Sequence, residues 1–310
     1  MKMLVGLLLL VCTLAGAQET HSVPLTFKKD LIPEGIAIDP SSKKVYLNSL
    51  KKDKIVRSDL DGTHAEDFIG SKEYGYLSGF GMTIQGDTLF ALGNSLPKSN
   101  NSSVLLLMNP TSGEFIASYT LNSEEVIYLN DIAITPNGDA YITDSESDAL
   151  YALTGAKKAF EVFFTHEEIK HSNGIATSDD GKYLYLATYT SGIRILDIAS
   201  KKLLNPPNQF KGIDGMKFHK NTLIAIVNGK RDLSQNGVFQ FELNPENTKI
   251  LSEKRIMSFF DPSDIPTTFA IHDEYMYFVS DSQLDNFNQE NNTIIHPDKL
   301  QNYRLIRIKI

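Results

Sequence analysis

A strand–turn–strand pattern of apolar and polar positions repeats six times along the chain. Each copy begins with one polar or aromatic residue, continues as an apolar strand, turns tightly and returns as a second apolar strand. The clearest copies span 33–48, 130–143 and 173–187, and weaker copies span 80–91, 214–225 and 267–278. The first residues of the copies, 41 to 53 positions apart, are Glu34, Phe80, Asn130, Asn173, Asp214 and Thr267. Repeats of this length, built from short strands, are typical of β-propeller blades.

Further strands complete each repeat. A third apolar strand follows every copy, and segments 115–119, 161–164 and 250–257 are candidate fourth strands, whereas no stretch has sustained helical periodicity. The sixth copy lacks a fourth strand, and residues 23–27 form an unassigned strand near the N-terminus. The sequence therefore predicts an all-β, six-bladed β-propeller in one domain, residues 18–310. We expect strand 23–27 to pair with 305–308 and close the last blade.

The inner strands also predict how neighbouring blades pack. The side chain two positions after each first residue is large, and the one three positions after it is small in most copies. Because successive side chains of a strand point to opposite faces, each inner strand has a bulky face and a slim face, which suits wedge-shaped blades. Lys217 is the exception on the slim face, and the pattern does not account for it.

The N-terminal segment predicts where the protein is located, and the composition limits which classes of partner it can have. Residues 1–17 combine Lys2, an apolar run over 4–14 and a small-residue cleavage site, which predicts a secretory signal peptide too short to span a membrane. The single cysteine, Cys12, lies inside it. We expect an exported protein, periplasmic or extracellular, without a membrane anchor. The net charge of −8 argues against a nucleic-acid partner. A monomer or dimer that acts on a small molecule is expected.

The first residues of the six copies predict a cation site. Inner strands of a propeller converge on one axis, so these residues should form a ring. Four of them carry side-chain oxygens, the atoms that hard cations such as calcium prefer: Glu34, Asn130, Asn173 and Asp214. Two carboxylates and two amides would form a neutral complex with calcium. The alternative is a water-filled channel that is merely lined by polar residues.

These first residues and their neighbours resemble a known family. The dipeptides Glu34-Gly35, Asn130-Asp131, Asn173-Gly174 and Asp214-Gly215 are similar to segments of the senescence marker protein, gluconolactonase and luciferin-regenerating enzyme family, and 129–133 and 172–175 also resemble paraoxonases. The resemblance implies a six-bladed propeller with one calcium ion at the axis. It further implies that Glu34, Asn173 and Asp214 are metal ligands and that Asn130 is a ligand or substrate contact.

Two features of these families are missing. Phe80 stands where paraoxonases carry a catalytic histidine, and Tyr128 stands where gluconolactonases often carry a sugar-binding arginine. Phe80, Tyr128 and Thr267 are therefore candidate walls of a less polar substrate pocket, or else core residues. The polar segment 283–302 is either a lid or a disordered loop.

The catalytic candidates are Asp214 as the base, Asn130, and His171 as a proton carrier, with Asp131 in reserve. His171 can equally be an exposed loop histidine. The leading hypothesis is a calcium-dependent hydrolase of lactones or related esters, in which the ion stabilises a developing oxyanion. A non-catalytic binding propeller with a structural calcium and a strictosidine-synthase-like enzyme are the alternatives.

Overall fold

A computed structural model describes residues 20–155 and 159–310 of the chain. The predicted signal peptide, residues 1–17, lies outside this range. Six four-stranded antiparallel sheets surround one axis, so the predicted all-β, six-bladed propeller is confirmed. Within the described residues, no helix has both the length and the apolar character needed to cross a membrane.

The strands follow the chain blade by blade. Strand β1 is Thr20–Pro24. Blade 1 contains β2 (Ile36–Asp39), β3 (Lys44–Asn48), β4 (Ile55–Asp59) and β5 (Glu66–Ile69). Blade 2 contains β6 (Ser78–Gln85), β7 (Thr88–Asn94), β8 (Ser102–Met108) and β9 (Phe115–Asn122). Blade 3 contains β10 (Leu129–Ile134), β11 (Ala140–Asp144), β12 (Ala149–Leu153) and β13 (Glu161–Thr165).

The remaining blades have the same order. Blade 4 contains β14 (Ser172–Thr177), β15 (Tyr183–Thr188), β16 (Gly192–Asp197) and β17 (Lys202–Leu203). Blade 5 contains β18 (Ile213–His219), β19 (Thr222–Val227), β20 (Gly237–Leu243) and β21 (Ile250–Ser258). Blade 6 begins with β22 (Phe269–His272) and β23 (Tyr275–Val279). A hairpin of β24 (Phe287–Asn288) and β25 (Thr293–Ile294) follows, and β26 (Arg304–Lys309) and β1 complete the sheet. The 3₁₀ turns are Glu73–Gly75, Lys98–Asn100, Glu167–Ile169, Leu233–Gln235, Leu284–Asn286 and Pro297–Lys299.

The two ends of the described chain close the ring in blade 6. Strand β1 pairs with β26 in an antiparallel ladder in which Val23 lies opposite Leu305. The predicted closure is confirmed, but the predicted bounds, 23–27, are three residues too late. Pro24 ends the strand, since proline has no amide hydrogen for the ladder. Leu25 and Phe27 then turn into the core between blades 6 and 1.

Neighbouring blades pack through the bulky and slim faces that the sequence predicted. Ala37 of blade 1 lies in one buried cluster with Met82 of blade 2. Ala176 of blade 4 likewise shares a cluster with Met216 of blade 5. A small side chain on one inner strand therefore leaves room for the large one on the next, which lets six sheets fit around the axis.

Residues 283–302, which we call the strap, form a folded cover on the propeller. Phe287 is buried in a cluster with Phe80 and Tyr128, and other apolar strap residues pack against the same cluster. Lys51 Nζ of blade 1 donates a hydrogen bond of 2.7 Å to the carbonyl oxygen of Asn292 in the strap. Of the two expectations for this segment, the structure has the covering segment and not the disordered loop.

Removal of residues 18–28 is expected to destabilise the protein strongly. The deletion removes the β1 ladder and the buried side chains of Leu25 and Phe27. Those two side chains alone contribute about 3–6 kcal/mol by burial. Thermal and guanidinium unfolding measure the loss. As a control, Leu25→Ala should lower stability without changing the oligomeric state, whereas the deletion should also promote association through the open edge of β26. A deletion variant that unfolds like the full mature chain contradicts the closure.

Candidate metal centre

Four of the six predicted ring residues meet at one cavity on the propeller axis. The cavity is narrow, with no space for a water molecule between its lining atoms. Its lining residues are Glu34, Gly81, Asn130, Asp131, Asn173, Asp214, Gly215 and Thr268. The repeat register thus located the oxygen donors of blades 1, 3, 4 and 5. Asp131, the reserve catalytic candidate, also lines the cavity, and so does Thr268, which the register did not indicate.

Close approach of the inner strands explains the glycines beside the ring residues. A Cβ atom on Gly35 would lie 2.0 Å from the carbonyl oxygen of Phe80 in the next blade. A Cβ atom on Gly174 would lie 2.2 Å from the carbonyl oxygen of Asp214. Such distances are far inside van der Waals contact, so any side chain there would push the strands apart. Blade 3 carries Asp131 at the equivalent position, and this substitution brings a third carboxylate into the cavity.

Polar side chains join five of the six pairs of neighbouring blades around the ring, through hydrogen bonds to the backbone beside the next inner strand. Asn94 Nδ2 at the end of β7 donates a hydrogen bond of 2.8 Å to the carbonyl oxygen of Leu129. Thr143 Oγ1 of β11 donates a hydrogen bond of 2.5 Å to the carbonyl oxygen of Asn173. The other members are Asn48 to Phe80, Asn228 to Pro266 and Thr267 to Glu34. Sequence reasoning missed this set, although Asn48, Asn94 and Thr143 are visible as polar residues at the ends of apolar strands.

The ring side chains are held by hydrogen bonds that leave oxygens directed to the cavity. Asn228 Nδ2 donates 2.7 Å to Asp214 Oδ2. Asn130 Nδ2 donates 2.9 Å to Ser145 Oγ, which leaves the Asn130 amide oxygen as the free acceptor. The polar partners therefore fix the orientation of the ring from outside.

Burial and mutual repulsion disfavour the charged forms of the ring carboxylates. Burial, followed by the charges of Asp214 and Asp131, raises the pKa of Glu34 well above its usual value. Burial and the charge of Asp131 raise the pKa of Asp214 to about 7, although hydrogen bonds from Asn228 and Asn173 act in the opposite direction. Like charges gathered in a low-dielectric cavity favour either protonation or a bound cation.

The donors present fit a hard divalent cation. Glu34 Oε2 and Thr268 Oγ1 are buried and have no hydrogen-bond partner, although both residues line the cavity. Buried polar atoms almost always have a partner, so these two indicate a missing one. In the described ranges, no three His, Cys, Asp or Glu side chains form a metal-binding group by themselves. A site here therefore depends on the amide oxygens of Asn130 and Asn173 together with the carboxylates, a set typical of calcium.

His171 is not among the residues that line this cavity; it directly precedes β14, two positions before Asn173, and we call this position the rim. Its Nδ1 atom is 2.7 Å from the carbonyl oxygen of Ser145, the residue whose hydroxyl holds Asn130. Because a carbonyl oxygen only accepts hydrogen bonds, Nδ1 carries the proton of the neutral ring, and Nε2 is left as an acceptor. The backbone of His171 has a left-handed φ of 56°. His171 is therefore a positioned, half-buried side chain, in contrast to an ordinary exposed loop histidine.

The three predicted pocket walls have different positions. Phe80 and Tyr128 pack edge to face, with ring centroids 4.6 Å apart, inside the core beneath the strap. Only the Tyr128 hydroxyl reaches outward, where it donates to Gln289 Oε1 of the strap. Thr267 is buried, and its hydroxyl donates 2.8 Å to the carbonyl oxygen of Glu34. The aromatic pair thus supports the ring and the strap, and Thr268 takes the place at the cavity that Thr267 was expected to occupy.

Solved structures with the same fold have several activities. A luciferin-regenerating enzyme is 15% identical to this chain with a TM-score of 0.62, and the match covers 94% of this chain and 96% of that one. A gluconolactonase from Xanthomonas campestris is 12% identical with a TM-score of 0.61, covering 94% and 91%. A virginiamycin B lyase from Staphylococcus aureus is 17% identical with a TM-score of 0.61, covering 94% and 99%. At these identities the likeness concerns the fold alone.

The sequence itself gives the family. Among curated proteins, none matches the chain. The family model described as "SMP-30/Gluconolactonase/LRE-like region" matches residues 32–221, which is more than half of the chain. This range contains Glu34, Asn130, Asn173 and Asp214, the four residues that supply oxygen donors to the axial cavity. The chain belongs to the SMP-30/gluconolactonase/LRE-like family.

Proposed function

We propose that this protein is an exported, calcium-dependent hydrolase of lactones or related small esters. The observation that carries the proposal is the axial cavity, where Glu34 Oε2 is buried without a partner beside the carboxylate of Asp214 and two amide side chains. Glu34, Asn130, Asn173 and Asp214 would hold the ion. When bound, calcium would supply Lewis-acid stabilisation of the negative charge that develops on a carbonyl oxygen during ester hydrolysis.

The protein's own residues would orient the substrate and move the proton. Asn130 is tied to Ser145 through its Nδ2 atom, so its oxygen keeps a fixed direction toward the cavity. Asp214 is the first candidate base, because it lies in the cavity and its pKa is raised toward neutrality by burial. His171 is the second, because the hydrogen bond at Nδ1 leaves Nε2 free to accept a proton at the rim. Asp131 is a weaker candidate, since an ion pair already occupies its carboxylate.

The position of the strap supports a small substrate. Gln289 of the strap accepts a hydrogen bond from the Tyr128 hydroxyl. Lys98 Nζ lies 4.0 Å from the centroid of the Tyr128 ring, and the same ammonium group forms an ion pair with Glu146. The strap therefore covers the face of the propeller next to blades 2 and 3. A compact ester or lactone fits such a restricted entrance better than a polymer does.

Calcium is expected to raise the melting temperature of the metal-free protein. A ligand that binds only the folded state stabilises it by about 2.7 kcal/mol at a concentration one hundred times its dissociation constant. Glu34→Gln and Asp214→Asn should each reduce this response, because each removes a formal charge from the ligand set. Glu66→Gln, which changes an exposed carboxylate paired with Arg57, is the control and should leave the response intact. An unmoved wild-type melting curve, together with a metal analysis that finds no bound ion, rules the site out.

Stability of the metal-free protein is expected to depend on pH through Asp214. Its pKa is about 7 in the folded state, against 3.8 for an ordinary aspartate. The folded state then binds more protons than the unfolded state between these values, so this stabilisation is present at low pH and is lost as pH rises through 7. The loss for one such group is roughly 1.4 kcal/mol per pH unit within that window.

The comparison of wild type with Asp214→Asn isolates this contribution from the other carboxylates. Denaturant unfolding in chelator at pH 5 and pH 8 should show that the variant gains stability relative to wild type at the higher pH. Equal differences at the two pH values would mean that Asp214 has an ordinary pKa.

Hydrolysis of a small lactone or ester is expected from the calcium-loaded protein. Asp214→Asn should lower kcat by about 10²–10⁴-fold, the usual contribution of a general base, even where excess calcium restores metal occupancy. His171→Gln is the matched comparison, and whichever variant loses kcat at full occupancy identifies the base. If loaded wild type is inert toward lactones, aryl esters and phosphotriesters, the protein is instead a binding propeller with a structural ion.

A further inference from the structure

We infer that Lys217 is the internal counter-charge of the axial carboxylates and sets the affinity of the cavity for a divalent cation. Its ammonium nitrogen lies 3.3 and 3.4 Å from the two oxygens of Asp131. Lys217 belongs to blade 5 and Asp131 to blade 3, so the pair bridges two blades that are not neighbours in the ring. The part of this inference that concerns metal affinity rests on the calcium site proposed above.

The position of Lys217 is unusual in the repeat. The equivalent residues in the other blades are small, namely Ala37, Thr83, Ala133, Ala176 and Ala270. A lysine on that slim face would separate the blades if its side chain lay between them. Its contact with Asp131, which lines the axial cavity, shows that the side chain extends into the channel instead. Lys217, the exception in the repeat, and Asp131, the extra carboxylate of blade 3, therefore form one ion pair.

Because the Lys217–Asp131 pair is buried, its electrostatic energy affects stability as well as its packing. The side chain of Asp131 is 4% exposed and that of Lys217 is 19% exposed. Three carboxylates, those of Glu34, Asp131 and Asp214, share the narrow cavity, and the described residues that line it include no lysine, arginine or histidine. Three ionised carboxylates and one ammonium have a net charge of −2, which one divalent cation neutralises. A buried carboxylate that loses its only ionic partner is strongly destabilising.

The ammonium should also weaken cation binding, because it raises the electrostatic potential of the cavity. Hydrogen bonds to Asp131 Oδ1 from the amide of Ile132 and to Oδ2 from the amide of Ile175 hold the carboxylate in place on its own strand and the next. The charge of Lys217 can therefore be removed while the direction of Asp131 is kept. Lys217→Met retains the length of the side chain and removes only the charge.

The first test is a double-mutant cycle in chelator with wild type, Lys217→Met, Asp131→Asn and the double variant. We expect Lys217→Met to lower the melting temperature much more in the wild-type background than in the Asp131→Asn background, since the carboxylate that pairs with the ammonium is already neutralised in the second background. Lys220→Met is the matched control, because Lys220 lies three residues away and pairs with Glu274 at the surface. Equal losses in the two backgrounds would show that Lys217 only fills space, and would overturn the inference.

The second test is calorimetric titration of the metal-free proteins with calcium at pH 8. Lys217→Met is expected to bind calcium about tenfold more tightly than wild type, since removal of a nearby positive charge lowers the electrostatic cost of a divalent ion. Lys220→Met should bind like wild type. If wild type binds calcium and Lys217→Met binds it no more tightly, the ammonium does not set the affinity. If neither protein binds calcium, the proposed metal site fails, and the cycle in chelator still decides the role of the pair.

Discussion

Repulsion among buried carboxylates at the propeller axis is the constraint on which the rest of the site depends. Glu34, Asp131 and Asp214 approach one cavity from three blades, and the cavity has little room for the water that would screen them. Proximity of charges in a low-dielectric interior is costly, so each carboxylate needs a proton, an ammonium or a metal ion. Asp131 has its ammonium in Lys217. The raised pKa values of Glu34 and Asp214 mark the two charges that remain uncompensated.

The ring is held in shape by contacts that do not involve a metal. Side chains such as Asn94 and Thr143 bond one blade to the inner strand of the next, and glycines such as Gly174 allow the backbones to touch. Each net hydrogen bond contributes about 0.5–1.5 kcal/mol, and the apolar clusters between blades contribute more. The fold can therefore form before a cation is bound. A preformed ring costs little to reorganise, which would favour binding of the proposed ion.

The fold and the meeting of four oxygen-bearing side chains at the axis could be predicted because they follow from local repetition. Two short strands and a turn recur at each blade, so Glu34, Asn130, Asn173 and Asp214 share one register position. The Lys217–Asp131 pair has no such signal, because it joins residues 86 positions apart in non-adjacent blades. That the strap is ordered was also difficult to predict, since its Asn- and Gln-rich composition is typical of a disordered segment. A few apolar residues, above all Phe287, are sufficient to anchor it over the core.

The fold alone does not select a reaction, so the proposed activity has to be argued from this chain's own residues. A luciferin-regenerating enzyme, a gluconolactonase and a lyase all have similar folds. In this chain the aromatic pair Phe80 and Tyr128 lies in the core and supplies no proton carrier. Ser145 instead connects the ring to the rim, since its hydroxyl accepts from Asn130 and its carbonyl oxygen accepts from His171. A change in the position of Asn130 would therefore be transmitted to His171 through Ser145 alone. This one residue fixes both the amide side chain at the axis and the imidazole at the rim.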